Sequence, residues 1–483
     1  MSMRNSTFSG SIMLLVIVFG AVFFTVLVAL SSFVLVENRA QNVTREQTEA
    51  FDIADAGLQY YRWFLSHFPG NTQDGTGHAG PYVTTYANPE GGNAGTYSLS
   101  VAGNTSCGQV QSINVSSTGV PSDAPGVSTV LTARYAQPSV AAYSYIVNSS
   151  VWAGSTLTIN GPYASNGGIR MDGTANATVN SSLSTWDCTS DFGCSPEQPA
   201  APGVVGTGGN QTLWNYPTPQ VDFAGIAANF PSLKATAQSS GIYLPRYSSG
   251  SSGQGSYYRG YHLIFNANGT VTVKRVSAVT TLTNVLPVDN PTSYVNDYTL
   301  IGTESTYNTY TLPSTCGLIF VEDNTWVEGT IPSKVTLVVA NVTTPGVTPN
   351  VVLHNNITYA ATDGTDGLTL IGANDILIAP DSPMNMTLDG IFIAQSGAFG
   401  RNYYYYPSGG CNNLYEPRGT LTLFGTVVSN LRTGTSWVNG CSSNTNAGYQ
   451  TRITSFDRQN STNPPPFTPT TSTQWQFVDW EEK

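Results

Sequence analysis

The sequence predicts an α+β N-terminal unit with one long membrane-spanning helix, followed by a mainly β body, most simply a parallel β-helix or solenoid. Three observations predict this fold class. Residues 12–36 form an apolar run without a charged side chain, and apolar residues then recur at helical spacing as far as Phe68. From about residue 96 the chain changes to short stretches of alternating apolar and polar residues, separated by glycine and asparagine.

Charged residues are scarce in this chain, and their scarcity excludes some classes of function. Charged residues make up 10% of the 483 residues, against roughly a quarter in a typical soluble domain, and the net charge is −11. A protein that binds nucleic acid needs clustered Lys and Arg to neutralise phosphates, so no nucleic-acid partner is expected. Hydrophobic residues at 40% are enough for a large core, which excludes disorder as the main state.

The apolar run predicts a single membrane anchor. As a helix, residues 12–36 would span roughly 37 Å, enough for the hydrocarbon core of a bilayer, and a buried core helix is the alternative. Arginines flank the run on both sides, so the charge rule does not decide its orientation. The six cysteines and the Ser/Thr-rich strands favour a body outside the cell. The residues expected in contact with membrane lipid are represented by Ile12, Phe19, Phe23, Leu30 and Val36.

The same helix is expected to continue beyond the membrane. No proline occurs from residue 37 to residue 68, and Pro69-Gly70 then ends the pattern, so one helix is predicted over 11–68. Its second half, 37–68, is amphipathic, and we expect its stripe to pack on a small antiparallel sheet formed by residues 69–137; a coiled-coil seam is the alternative. The stripe consists of Phe51, Ala54, Leu58, Tyr61, Leu65 and Phe68.

Residues 1–68 resemble the N-terminus of a type IV prepilin. A short polar leader, residues 1–10, precedes the apolar run, and the resemblance implies cleavage after Gly10 by a prepilin peptidase to leave Ser11 first. The stretch 54–61, Ala-Asp-Ala-Gly-Leu-Gln-Tyr-Tyr, is similar to a segment of PilX-type minor pilins. The resemblance implies association with other pilin subunits through this helix. Major pilins carry Glu at mature position five, where this chain has Leu15, which favours a tip, assembly-initiating or simply anchored subunit.

Residues 138–462 repeat a short strand pattern, which predicts stacked coils; a β-sandwich is the alternative. Two loop insertions, 183–260 and 397–417, interrupt the body, and a Pro-rich tail with a terminal strand follows at 463–483. Residues 165–173 resemble a segment of large pilin-like surface proteins of uncultivated, small-genome bacteria. Copies of the repeated pattern, such as Leu-Thr-Leu-Ile-Gly, begin at residues 157, 298, 335, 368, 386 and 421.

The cysteines predict disulfides rather than a metal site. Cys188 and Cys194 are close enough to close one loop, Cys411 and Cys441 flank the repeat at 421, and Cys107 and Cys316 remain, although six cysteines allow 15 pairings. Closely spaced Cys/His ligand sets are missing from the sequence. A zinc site is not expected because the histidines are scattered at His67, His78, His262 and His354.

Two further stretches are candidate binding sites. Asp363 and Asp366, in Asp-Gly-Thr-Asp-Gly, offer oxygen ligands for Ca²⁺, but an ordinary turn is the favoured interpretation, and no other cofactor is expected. A tyrosine run with a nearby arginine could form a platform for an extracellular glycan or cell surface, or pack as a loop on the flank of the body. The residues of this platform are Arg401, Tyr403, Tyr404, Tyr405 and Tyr406.

Together these features predict a non-enzymatic, pilin-like, single-pass cell-surface protein, either a minor pilus subunit or an anchored adhesin. The alternative is a membrane-anchored β-helix enzyme acting on polysaccharide, which needs converging acids. Asp375, Asp381 and Asp389 are the best candidates for those acids, but their spacing is irregular and no catalytic residue is assigned.

Overall fold

The computed structural model describes residues 9–88, 90–247, 259–405, 414–442 and 445–483. The chain contains two compact units. The first consists of Met1–Ala102, Asn114–Arg134 and Asp479–Lys483, and the second of Gly103–Ile113 and Tyr135–Val478. The division near Tyr135 lies close to the expected boundary at 137. The segment Gly103–Ile113, however, belongs to the second unit, and the end of the expected tail belongs to the first.

A long apolar N-terminal helix followed by a mainly β body is confirmed. The helix, α1, runs over Ser9–His67 without interruption. It ends at His67 because Pro69 has no amide hydrogen to continue the ladder and Gly70 adopts a left-handed backbone with φ 75°. The last helical bond is that from the Phe68 amide to the Phe64 carbonyl, at 2.9 Å.

The first unit places α1 beside a sheet. After α1 the chain forms β1 (Tyr82–Ala87), β2 (Asn93–Ser106), β3 (Gln109–Pro121) and β4 (Thr129–Ala136), which are neighbours in that order. β1 and β2 are antiparallel. Alternate residues of β2 and β3 are buried, as expected for a sheet with one face against a helix.

The body begins with short strands. They are β5 (Tyr145–Val147), β6 (Val151–Ala153), β7 (Leu157–Asn160), β8 (Tyr163–Ser165), β9 (Ile169–Met171), β10 (Thr174–Ala175), β11 (Val179–Ser181), β12 (Thr185–Cys188), β13 (Gln198–Pro202), β14 (Val204–Val205), β15 (Trp214–Asn215) and β16 (Ile242–Leu244). Helices α2 (Phe223–Ile226) and α3 (Phe230–Ser240) precede β16, and 3₁₀ turns occur at Val140–Ala142, Ser190–Phe192 and Gln211–Leu213.

Most strands in the rest of the body are longer. They are β17 (Gly260–Asn266), β18 (Thr270–Leu286), β19 (Val295–Thr311), β20 (Leu318–Val321), β21 (Asn324–Ile331), β22 (Lys334–Val339), β23 (Val351–Tyr359), β24 (Gly367–Gly372), β25 (Ile376–Ile378), β26 (Met386–Ala394), β27 (Phe399–Gly400), β28 (Tyr403–Tyr404), β29 (Arg418–Ser429), β30 (Ser436–Ser442) and β31 (Thr445–Ser455). Helix α4 (Arg458–Thr462) follows, and the last strand, β32 (Gln476–Glu482), lies beside β4.

The large sheet of the body is mixed. Parallel pairs connect β20 to β22, β22 to β24, β24 to β26, β26 to β29, β29 to β31 and β31 to β7. Antiparallel pairs join β17 to β18, β18 to β19 and β18 to β28. The predicted repeats are therefore only partly equivalent, because the copy at 298 lies in β19, which pairs with β18 in an antiparallel hairpin.

The repeats at 335, 368, 386 and 421 do take part in parallel pairs. Val335 pairs with Leu368, and Met386 pairs with Leu421. Leu370, in the copy at 368, pairs with Phe392, which lies beyond the copy at 386. This register is possible because β26 is long and pairs with β23 near its start and with β24 near its end. A sequence repeat of five residues thus marks strands without fixing their register.

Aliphatic side chains of these strands fill the core of the body. Positions on facing strands are fully buried, and at about 25 cal/mol per Å² of apolar surface removed from water they supply the main stabilising term. The cluster includes Leu263, Val335, Leu337, Leu353, Leu368, Leu370, Ile376, Ile378, Leu388 and Val427.

Candidate functional site

The apolar half of α1 is exposed along its described length. The five predicted anchor positions are between 56% and 66% exposed. The helix contains a segment long and apolar enough to cross a membrane, with a mean hydropathy of 3.0 over its most apolar stretch. Gly10 and Ser11 lie in its helical backbone, whereas residues 1–8 of the expected leader lie outside the described residues. Lipid or the apolar helices of other chains would cover such a surface in an assembled protein.

The second half of α1 packs its apolar face within the first unit. Of the predicted stripe, Ala54, Leu58, Tyr61 and Leu65 are fully buried. Phe51 is half-buried, with its ring centroid 6.1 Å from that of Trp480. The prediction for Phe68 is wrong, because the helix ends one residue earlier and leaves its side chain largely exposed. The stripe also includes Ala50, Ile53 and Phe64, which a strict three-and-four count from Phe51 missed.

Two glycines allow α1 to lie directly against the sheet. A Cβ on Gly119 of β3 would meet the carbonyl oxygen of Ala50 and the amide nitrogen of Ala54. A Cβ on Gly57 would meet the hydroxyl of Ser117 and the ring of Tyr97. The small residues of the Ala-Asp-Ala-Gly segment therefore serve close helix–sheet packing in this unit.

The predicted tyrosine platform is not on the surface. Arg401 is fully buried and pairs with the equally buried Glu416, and Tyr404 is also buried. The Arg401 guanidinium also donates to the carbonyl oxygens of Pro380 and Tyr415, at 2.9 and 2.7 Å. The prediction that Arg401 and Tyr404 belong to a surface platform is wrong, because the ion pair and the two carbonyl hydrogen bonds hold the Arg401 guanidinium inside the body. Tyr405 is half-buried, and Tyr406 lies outside the described residues.

A cavity of about 380 Å³ opens beside this segment. Its wall combines aromatic rings with cationic side chains, and the rings are fixed. The Trp152 Nε1–H donates to Asp172 at 2.8 Å, and the Trp437 Nε1–H donates to the Arg401 carbonyl at 3.1 Å. Fixed rings beside hydrogen-bonding groups suit ligands with alternating apolar and polar faces, such as sugars. The wall includes Trp152, Trp437, Tyr403, Tyr145, Arg432 and Arg452.

Two of the histidines that look scattered in the sequence are neighbours. The ring centroids of His262 and His354 are 5.0 Å apart, and the Glu328 carboxylate contacts a nitrogen of each ring. Burial alone would lower the pKa of His354, but Asp381 and Glu328 beside it raise that pKa to about 9. Burial alone would raise the pKa of Glu328, but His262 and His354 outweigh that effect and hold its pKa well below its usual range. These two histidines are 92 residues apart in the sequence, and strand pairing makes them neighbours in the fold.

The three candidate acids do not share one environment. Burial raises the pKa of both Asp375 and Asp389 to about 6. A hydrogen bond from the Ala398 amide to Asp375, and one from the Tyr359 amide to Asp389, oppose that rise. Asp381 instead faces His354, with its Oδ2 atom 3.6 Å from the Nε2 atom. Each carboxylate thus has a separate local partner.

Disulfides link Cys107 to Cys316 and Cys188 to Cys194. The first closes a span of 209 residues and the second a loop with a separation of 6. Cys441 is also disulfide-bonded, and Cys411 lies outside the described residues. Cross-links of this kind persist in oxidising compartments.

The Asp363–Asp366 segment forms a turn. The Asp363 carboxylate accepts from the Thr365 amide at 3.0 Å and from its hydroxyl at 2.5 Å. Asp366 is buried, and its Oδ2 atom accepts from the Ala361 amide at 2.6 Å. These contacts are those of an Asx-type turn.

Comparisons with solved structures found a weak structural likeness. No protein-family model matches the chain, and no curated protein matches it. The chain is similar to a crystal structure of the competence-associated pilin ComZ from Thermus thermophilus, with 14% identity, a TM-score of 0.34, and coverage of 91% of this chain and 97% of that chain.

Proposed function

We propose that this chain is a non-enzymatic, pilin-like surface protein, anchored by the exposed half of α1 and presenting its β body outside the cell. Continuity of α1 carries the proposal. One unbroken helix has an apolar, exposed first half and a second half packed on the sheet of its own unit. An exposed apolar helix as long as a bilayer core is stable only among lipid tails or other apolar helices. Its partners are therefore membrane lipid and the helices of other pilin subunits.

A minor role in the assembly fits the sequence better than that of a bulk subunit. Leu15 stands where major pilins, which this N-terminus resembles, have Glu. A subunit without that carboxylate cannot neutralise a neighbour's terminal amine during assembly. We therefore assign the chain to a tip, to an initiating position of the PilX type, or to a free-standing anchored adhesin.

The body is proposed to contact an extracellular glycan or cell surface. The cavity with Trp152 and Trp437 supports this role, because both indole rings line its wall and are held there by the hydrogen bonds of their N–H groups. The parallel pairs from β20 to β7 support a solenoid-like scaffold for this cavity. Asp375, Asp381 and Asp389 are assigned structural roles rather than catalysis, since each already has its own partner.

The mature N-terminus tests the pilin assignment. We expect full-length protein produced with a prepilin peptidase and isolated from membranes to lack residues 1–10 and to carry a methyl group on Ser11. Intact-mass and N-terminal peptide mass spectrometry measure both. A Gly10→Leu variant should keep the leader. Gly20→Leu is the matched control, because nothing lies within 4 Å of an added Cβ at Gly20, and it should be processed normally. An intact Met1 leader in the unaltered chain would reject the pilin assignment while leaving a membrane anchor.

A further inference from the structure

We propose that His262, His354 and Glu328 bind a divalent transition-metal ion on the body, with Zn²⁺ as the best fit. The site is independent of the helix and of the proposed pilin role. Two imidazoles and one carboxylate, without a thiolate, are ligands that suit Zn²⁺ and its neighbours in the first transition row.

Strand pairing brings the three side chains together. His262 lies on β17, Glu328 on β21 and His354 on β23, and β21 pairs in parallel with both of the other strands. His262 is directly opposite Trp326, and Glu328 follows two residues later on the same face. The register of β21 and β23 shifts between Val327 and Gly329, next to Glu328.

The ligand atoms are already close to metal-binding distances. The Nε2 atom of His262 is 3.5 Å from Glu328 Oε1, and the Nδ1 atom of His354 is 3.1 Å from Glu328 Oε2. One ligand atom from each residue can be chosen so that all lie within 4.8 Å of one another. Tetrahedral coordination with bonds of 2.0–2.1 Å separates ligand atoms by about 3.3 Å, so only a small movement of the rings is required.

Outer carboxylates orient both imidazoles toward the site. The Nδ1 atom of His262 lies 2.8 Å from Glu304, whose other oxygen contacts Lys274 Nζ at 2.5 Å. The Nε2 atom of His354 lies 3.6 Å from Asp381. A carboxylate behind each imidazole is the usual outer-shell arrangement of histidine ligands, and it leaves His262 Nε2 and His354 Nδ1 for the metal.

A ligand atom without a hydrogen-bond partner distinguishes this site from an ordinary ion-pair cluster. His262 is buried, and its Nε2 atom has no hydrogen-bond partner among the residues that the structure describes. Such a buried polar atom is costly unless something else satisfies it. A protonated His354 accounts for the contacts of Glu328 but leaves His262 Nε2 unsatisfied, whereas a metal ion satisfies it.

Charge and access agree with a cation. When a metal ion holds both imidazoles neutral, the carboxylates of Glu304, Glu328 and Asp381 face two cations, Lys274 beside Glu304 and Arg418 near Asp381. The remaining negative charge favours a cation at the site. The side chains of Glu328 and His354 keep 17% and 22% of their surface exposed, so an ion can enter from solvent and a water can complete its coordination.

Zn²⁺ binding by the full-length chain tests the proposal. The protein should be purified in detergent without a polyhistidine tag, stripped with a chelator and titrated with Zn²⁺ alone. We expect one equivalent of bound Zn²⁺ and at least tenfold weaker binding in His354→Ala and in Glu328→Gln. Asp381→Asn should weaken binding by a smaller factor, because it acts only through His354.

The matched control is the double variant His67→Ala/His78→Ala, which removes two exposed histidines outside the cluster and should still bind one equivalent. Co²⁺ substitution should give the visible absorption of a four-coordinate site in that control and in the unaltered chain. No stoichiometric Zn²⁺ binding by the unaltered chain would overturn the proposal. Unchanged affinity in His354→Ala, or loss of binding in the control, would overturn it equally. Neither test requires a substitution of the buried His262.

Discussion

Replacing Arg401 by methionine is expected to destabilise the body by about 3–5 kcal/mol, the largest effect of any single exchange considered for this chain. Arg401 and Glu416 are both fully buried, and Glu416 also accepts from the Gly448 amide. Removing the guanidinium leaves the Glu416 carboxylate in the core without its ion-pair partner. It also leaves the Tyr415 carbonyl without the Arg401 donor, and the Pro380 carbonyl with Arg418 as its remaining donor.

Denaturant unfolding of the full chain in detergent, followed by tryptophan fluorescence, measures this loss. The double variant Arg401→Met/Glu416→Gln should be more stable than Arg401→Met alone, because the second exchange removes the unpaired charge. Arg458→Met, at an exposed position on α4, is the matched control and should shift the transition by less than about 0.5 kcal/mol. A stability loss in Arg401→Met no larger than in that control would contradict the buried ion pair.

Gly119→Val is expected to separate α1 from its sheet, at a cost of about 3 kcal/mol to the first unit. The added Cβ would meet backbone atoms of Ala50 and Ala54, and backbone cannot rotate away as a long side chain can. The packed half of α1 should then become sensitive to protease, with cleavage between residues 50 and 67. Limited proteolysis with mass mapping measures that change.

Gly126→Val is the matched control for Gly119→Val. It places the same side chain in the same unit where nothing lies within 4 Å of an added Cβ. We expect the control to resist protease as the unaltered chain does. Equal protection of α1 in both variants would show that Gly119 does not lie against the helix.

The helix and the chain's change to β structure could be predicted because they depend on local patterns. An uncharged run of 25 residues has few alternatives to a helix, and Pro69-Gly70 ends it within one residue of the predicted position. The packing face was largely visible too, since Ala54, Leu58, Tyr61 and Leu65 recur at helical spacing. Phe68 was wrongly included in the packing face because hydrophobic periodicity does not show where the last helical turn ends, which is at His67.

The register of the sheet and the chemistry of its outer face could not be predicted in this way. The repeat at 298 resembles those at 335 and 368 in sequence, yet it pairs in an antiparallel hairpin, because pairing depends on partners far along the chain. His262 and His354 became neighbours through that same long-range pairing, so no sequence spacing signals their site. Arg401 was predicted to be a surface residue because the sequence gives no signal that it pairs with Glu416, 15 residues further along the chain.

Membrane insertion of the apolar half of α1 is tested by fractionation of a charge variant. Phe19→Asp/Phe23→Asp places two carboxylates in the middle of the apolar half, which should oppose insertion by about 6 kcal/mol in total. The control, Phe68→Asp/Val83→Asp, exchanges two exposed apolar residues of the first unit outside that half. We expect the unaltered chain and the control in the carbonate-resistant membrane and pilus fraction, and the Phe19/Phe23 variant in the soluble fraction. Retention of that variant with the membranes, or an unaltered chain in the soluble fraction, would contradict membrane insertion of α1.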